Sequence, residues 1–241
     1  MATEAAPARP AGPTRLVYFD DMSALRSAAT VIAVHQEEGG RVAVVLDATV
    51  FHPQGGGQPA DTGAISAASA RFSTTEDLRV LEKDAGINLK RGLCLLLIVS
   101  KFKALLLIML SLSRLHSAGH LLDICVHNVG LFQLEPGKGY HFPDGPFVEY
   151  KGAIPPDQIQ DRKNELEREA KRLISEGAKV LVTVVPYEEA EKLCGGSLPS
   201  YILKDSTPRI VKFGEYPGGP CGGTHVTDIS IINNLKVIII F

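Results

Sequence analysis

The feature that most limits how this chain can fold is a pair of short motifs, His116-Ser-Ala-Gly-His120 and Cys221-Gly-Gly-Thr-His225, set far apart along it. Each offers two metal-ligand side chains four positions apart. On a helix such positions differ by about 40° in azimuth and about 6 Å along the axis, so both imidazoles of the first pair reach one ion. Gly222 and Gly223 disfavour a helix in the second pair and predict a tight turn that folds Cys221 and His225 inward. A thiolate beside three neutral imidazoles suits a borderline-soft cation, with Zn²⁺ the natural candidate. Spacing alone leaves two readings open, one shared zinc site or histidines placed for packing. The first pair lacks the Glu that follows the first His in zinc peptidases, so that chemistry is unsupported.

The rest of the chain must be able to bring the two pairs together. Its 241 residues, 45% hydrophobic and 22% charged, suffice for two ordinary domains. A formal charge of -2 argues against bulk duplex binding and leaves nucleic acid to a local patch or a few terminal nucleotides. Four cysteines without a secretory signal point to a reducing, cytoplasmic setting. Residues 1–14 are rich in Ala and Pro and read as a disordered lead-in, whose Arg9 leaves organellar import open. Leu93 to Leu112 is nearly all aliphatic, but Lys101 and Lys103 split it into runs about half the ~20 residues a spanning helix needs. We read it as buried core, without a membrane partner.

Leu16 to Asp20, Ile32 to Gln36 and Arg41 to Ala48 read as strands, with a hairpin at Gly40. From Arg114 the spacing of Leu115, Gly119, Leu122 and Val126 predicts a helix that carries the first ligand pair. Gly137 to Pro146 reads as a loop and Phe147 to Tyr150 as a strand. Asp157 is the expected N-cap of a helix, with Gln160 completing a capping box, an apolar face of Ile159, Leu166, Ala170 and Leu173, and a stop at Gly177. Lys179 to Val185 and Arg209 to Phe213 read as strands, and Tyr187 to Leu193 as a short helix. The expected fold class is α+β: a small β-barrel-like domain over 15–92, an atypical apolar segment over 93–113, and an α+β domain over 114–241. Cys125 is expected to be packed and His127 partly exposed. Cys194-Gly-Gly lacks a matching His. His35, His52 and His141 are read as strand or loop residues, with His141 alone a candidate to line a pocket.

The segments His116 to Leu122 and Cys221 to Val226 resemble the HxxxH and CGGTH motifs of the alanyl-tRNA editing proteins, shared with the editing domains of alanyl- and threonyl-tRNA synthetases. Phe51 to Gly63, FHPQGGGQPADTG, is similar to the glycine-rich motif of the larger free-standing members, and Tyr140 to Lys151 and Val211 to Gly214 also fit. The resemblance implies a β-rich N-terminal domain bearing the glycine motif and an editing domain that binds one Zn²⁺ through His116, His120, Cys221 and His225. It implies hydrolysis of the ester joining serine, or sometimes glycine, to alanine-specific tRNA. It places Gln58 at the editing pocket, with Thr224 a second polar candidate and Gly55, Gly56 and Gly57 on the substrate side. The alternative reading of these glycines as a triphosphate loop fails for want of the Gly-Lys-Ser/Thr ending, which leaves a tight turn between strands. An aminoacyl ester is already activated, so a zinc that polarises its carbonyl or the attacking water suffices without a covalent nucleophile. Four protein ligands nevertheless form the closed pattern of a structural site. Either one of them yields to substrate, with His225 the first candidate, or the ion mainly orders the pocket. A non-catalytic tRNA-binding module is the alternative function, and a ligase fragment a third, although no ATP-binding synthetase region is visible.

Two stretches depart from the family pattern. Gly86 to Leu112 has little polar alternation, and Ile229 to Phe241 ends in an exposed-looking, aggregation-prone LKVIIIF. Both are expected to reflect mis-assigned exon boundaries or an alternative transcript, which full-length transcript sequencing would test.

Overall fold

Residues 13–36, 42–61, 63–67, 70–74, 78–81, 96–101 and 103–238 are described by the computed structural model, those between 66 and 110 by their backbone alone. Most of the expected lead-in, the Gly40 turn and residues 82–95 lie outside this set. The chain divides into two units, one of Met1–Pro53 with Ala60–Met109, the other of Gln54–Pro59 with Leu110–Phe241. The glycine motif is thus divided, its Gln54–Pro59 turn clustering with the unit that carries both ligand pairs.

The first unit begins with β1 (Arg15–Leu16), α1 (Val17–Asp20), β2 (Arg26–Gln36), β3 (Val42–Leu46) and β4 (Ala48–Thr49). It continues with β5 (Gly63–Ala67), β6 (Ala70–Thr74), β7 (Leu78–Leu81) and β8 (Leu96–Lys101). Six strands form one sheet in the order β6-β5-β8-β2-β3-β7, antiparallel except for the β3/β7 pair. Among the described residues no ladder joins β6 to β7, so the sheet is open where a barrel-like closure was expected. The β2 and β3 strands pair antiparallel with Val34 opposite Val44, though β2 begins at Arg26, well before the expected Ile32. Ala29, Val31, Val44, Leu46, Val50, Phe51 and Ile65 form its buried cluster. The expected strand Leu16 to Asp20 is mostly a single helical turn. Only Arg15–Leu16 finds a partner, in β4, and the Asp21 N–H closes on the Val17 carbonyl at 2.9 Å. A strand without a neighbour leaves its backbone groups unsatisfied, and the local turn satisfies them.

The two aliphatic runs take different roles. The first supplies β8, which lies between β5 and β2, and the second opens the long helix α2 (Lys103–Asn128). No helix among the described residues is long and apolar enough to cross a membrane. The helix starts well before Arg114, and its buried stripe is broader than the expected face, of which Gly119 and Val126 are buried. Leu112, Ser113, His116, Ser117, Leu121 and Cys125 are buried, whereas Leu115 and Leu122 are half-buried. Cys125 is packed as expected and His127 is exposed.

Beyond α2 the second unit contains β9 (Glu135–Tyr140), β10 (Phe147–Lys151), α3 (Ile159–Glu176), β11 (Val180–Val184), α4 (Tyr187–Leu193), β12 (Arg209–Phe213) and β13 (Gly219–Pro220). β9 and β10 form a hairpin with Tyr140 opposite Phe147, so only 137–140 of the expected 137–146 loop are strand. Its two glycines carry little β propensity, and the pairing with β10 decides the outcome. The second sheet runs β11-β12-β13, all antiparallel. The α3 helix buries Leu166, Ala170, Leu173 and Ile174 and ends at Gly177, as expected. Its start differs: a 3-10 turn over Pro156–Gln158 leads in, Gln158 is the N-cap, and no side chain caps the helix. The described part of the C-terminal segment is partly buried, although Ile238 is exposed as expected. Ile229, Ile232 and Val237 join the core, and the Val237 N–H donates to Glu167 Oε1 at 2.9 Å.

One polar link fixes α2 to the hairpin: the Tyr150 hydroxyl donates to Asp123 Oδ1 at 2.6 Å. Burial raises the Asp123 carboxyl from 3.8 to about 6, against the opposing effect of the tyrosine bond. A carboxyl raised in the folded state binds protons there that the unfolded chain has released, so its contribution is full below pH 3.8 and is lost as pH rises to about 6. Asp123→Asn keeps an acceptor for Tyr150 without the buried charge. It is therefore expected to raise stability at pH 7 by up to about 3 kcal/mol and to change little at pH 3.5, as urea unfolding would read. Equal effects at both pH values would refute this origin.

Candidate metal centre

The CGGTH segment leaves β13 as an irregular turn, and α2 lies against it so that the two motifs converge. The ligand atoms of His116, His120, Cys221 and His225 all lie within 4.8 Å of one another. Cys221 Sγ is 3.3 Å from His116 Nε2 and 3.3 Å from His225 Nε2. A tetrahedral zinc with bonds of about 2.3 Å to sulfur and about 2.0 Å to nitrogen has S···N edges of about 3.5 Å, so the spacing fits such an ion. The imidazole of His120 supplies an independent test, because its Nε2 is buried and has no hydrogen-bond partner. A buried lone pair left unmatched among three other ligand groups is the state that a cation relieves. The donor set of three imidazoles and one thiol is therefore suited to Zn²⁺.

The electrostatics agree with neutral ligands. Burial lowers the His120 imidazole from 6.5 to about 4, helped by the neighbouring His141. Burial, and then the neighbouring His116 and His120, hold His225 well below its ordinary value. Burial likewise pushes the Cys221 thiol up, partly offset by the Gly223 N–H and Arg209. Each group is thus neutral at pH 7 without a cation, and the thiol must lose its proton when one binds.

A shell of hydrogen bonds orients these groups. Gln58, on the turn of the glycine motif, is only 1% exposed. Its Oε1 accepts from the Thr224 N–H at 3.0 Å and stands 3.1 Å from His116 Nδ1. Its Nε2 donates to Thr224 Oγ1 at 2.9 Å. With Gln58 Oε1 as acceptor, His116 carries its proton on Nδ1 and turns the Nε2 lone pair toward Cys221. The turn that presents Gln58 is closed by paired bonds between Gly55 and Gln58, at 3.1 and 2.9 Å. Its central residues Gly56 and Gly57 have φ of 56° and 77°, which suit glycine at both positions of this tight hairpin turn.

Three supporting residues were missed in the sequence. The Ser113 hydroxyl is 3.0 Å from Thr224 Oγ1, and Ser117 Oγ accepts from the Val226 N–H at 3.0 Å while lying 3.5 Å from His225 Nδ1. Arg209 is buried, and its Nη1 donates to the carbonyls of Cys221 and Gly223, clamping the loop. The serines were visible as polar positions at helical spacing inside a leucine-rich helix. The arginine had no local signal. Gly223 also has a packing role, because a Cβ there would collide with the His116 ring. Cys194 only ends α4, with Gly195 and Gly196 following at φ of 80° and 97°.

No family profile matches the chain. Over 93% of its length it is 28% identical to the alanine–tRNA ligase of Methanosarcina mazei, of which it covers 24%. Over 92% of its length it is 26% identical to the alanyl-tRNA editing protein AlaX-L of Pyrococcus horikoshii, of which it covers 53%. The alanine–tRNA ligase of Acetivibrio thermocellus is 27% identical over 84% of the chain, which covers 23% of that relative. The chain therefore spans about a quarter of the ligases and about half of the editing protein.

Proposed function

We propose, from the premise that this chain is a homologue of the alanyl-tRNA editing proteins, that its second unit is a zinc-dependent deacylase for mischarged aminoacyl-tRNA. The substrate class is serine, or glycine, esterified to alanine-specific tRNA. The observation that carries the reading is the convergence of His116, His120, Cys221 and His225 beside the buried Gln58–Thr224 bridge. A bound Zn²⁺ would polarise the ester carbonyl. The chain's own residues do the rest. His116, Cys221 and His225 hold the ion. His120, whose Nε2 has no hydrogen-bond partner among the described residues, is a better candidate than His225 for the ligand that would make room for substrate. Gln58 fixes the His116 tautomer and also holds the buried Thr224 hydroxyl, which would exchange its Ser113 or Gln58 partner for the hydroxyl of a serine substrate. A polar group left unmatched by alanine discriminates against the correct product. Gly55 and Gly56 have open space where a Cβ would stand and leave room for the aminoacyl end, whereas Gly57 is packed. The glycine turn Gln54–Pro59 belongs to the same unit as the ligand pairs, and a cytoplasmic setting suited to the free thiols Cys125, Cys194 and Cys221 completes the proposal.

The test is deacylation of serine-charged and alanine-charged tRNA(Ala) by the purified, zinc-loaded chain. Rapid loss of serine, slow loss of alanine, and at least a hundredfold lower activity for His116→Ala are expected, since a direct ligand should matter more than the about 10–100-fold typical of groups behind it. Equal turnover by His116→Ala would reject the metal mechanism. Zinc binding without turnover would favour the non-catalytic tRNA-binding module.

A further inference from the structure

Three glycines from three separate segments meet around one imidazole, that of His141. Gly119 lies between the two helical ligands, and a Cβ there would stand 2.6 Å from His141 Cε1. A Cβ on Gly139 would stand 2.7 Å from His141 Nε2. One on Gly57 would collide with the Gly139 carbonyl and stand 3.2 Å from His141 Cδ2. The Gly57 carbonyl also accepts the His141 N–H at 2.8 Å, which pins the residue at its backbone. The ring so enclosed is 6% exposed and stacks on His116, with centroids 4.3 Å apart and planes 20° apart. His116 is thus held on two sides, at its Nδ1 by Gln58 and over its face by His141. Stacking favours one orientation of the ring plane, which the hydrogen bond alone leaves free to rotate about its own axis.

The geometry points to His141 as a positioning residue for the metal centre, seated in a slot that Gly57, Gly119 and Gly139 keep open so that it sets the plane of His116. This rests on the reading of His116 as a ligand and adds to it a residue outside the ligand set. It also gives the glycines a shared purpose. Gly119 stands inside a continuous helix where alanine would be the better helix former. The slot supplies the reason.

The experiment uses Co²⁺ as a spectroscopic probe in the full chain, with zinc affinity measured by competition. His141→Ala and Gly119→Ala, each checked for native circular dichroism, should both shift the visible cobalt bands and weaken zinc binding about tenfold or more, in the range of outer-shell changes at metal sites. The double variant is decisive. With the imidazole gone, the Gly119→Ala methyl enters an empty slot, so it should cause no further loss of affinity and should raise Tm through helix propensity. Unchanged cobalt spectra in both single variants, or additive losses in the double variant, would overturn the positioning role while leaving the metal site intact. A wild-type chain that binds no cobalt or zinc would overturn both the site and this inference.

Discussion

Cys221→Ala is expected to weaken zinc binding by well over a hundredfold and to abolish deacylation while leaving the fold in place. Cys221 is the pivot of the cluster, with Sγ at 3.3 Å from both His116 and His225. It is also the one member of the set that becomes an anion on binding, and so supplies charge that three neutral imidazoles lack. Loss of groups behind the ligands typically costs about 10–100-fold in metal affinity, and a charged ligand should exceed that. Burial raises the thiol above its ordinary value, so zinc uptake near neutral pH must release its proton. The wild-type affinity should therefore rise about tenfold per pH unit between pH 6 and 8, and this slope should vanish in Cys221→Ala. Competition against a chromogenic chelator over that range measures both effects. The backbone around position 221 is held by Arg209 through the Cys221 and Gly223 carbonyls, contacts that alanine retains. Undiminished zinc affinity in the variant would remove Cys221 from the site.

The second large effect concerns the metal-free protein in acid. The His120 imidazole falls from 6.5 to about 4 in the folded state, chiefly through burial, and His225 is held well below its usual value for the same reason. Between these values the unfolded chain binds a proton that the folded chain refuses, so stability decreases as pH falls from about 6.5 and the loss is complete near pH 4. For His120 alone the shift corresponds to about 3 kcal/mol, and His225 adds to it. Zinc opposes the change, because occupied imidazoles cannot take protons. Urea unfolding of the chelated protein at pH 7.5 and pH 4.5 should show the loss, and His120→Ala should remove about 3 kcal/mol of the difference. Asp123 acts in the opposite sense between pH 3.8 and about 6, so the His120→Ala comparison isolates the imidazole. Identical pH dependence in wild type and His120→Ala would contradict the buried-neutral state assigned to His120.

The local elements of the second unit were legible because short-range chemistry decides them. The helix Tyr187–Leu193 and the strand Arg209–Phe213 fall where their residues place them, and Gly177 ends α3 because its φ of 65° suits glycine. For the ligand quartet, two pairs at four-residue spacing marked the candidates but left a packing role equally open, and the resemblance to the editing proteins favoured a metal. Other features depended on partners distant in sequence. Glu135–Tyr140 becomes a strand because β10 lies beside it, and Val17–Asp20 becomes a turn because only Arg15–Leu16 meets β4. The six-stranded sheet is open among the described residues, and strand composition cannot decide closure, which depends on the pairing of edge strands. His141 shows the difference most clearly. Its sequence setting is that of a loop histidine, and its place over His116 arises only when Gly57, Gly119 and Gly139 are brought together. The sequence by itself determined which side chains could hold a cation, because ligand chemistry and helical or turn spacing are local properties. The tertiary structure alone decided how they are oriented, because Gln58, Ser113, Ser117, Arg209 and His141 act through contacts whose partners mostly lie far away along the chain.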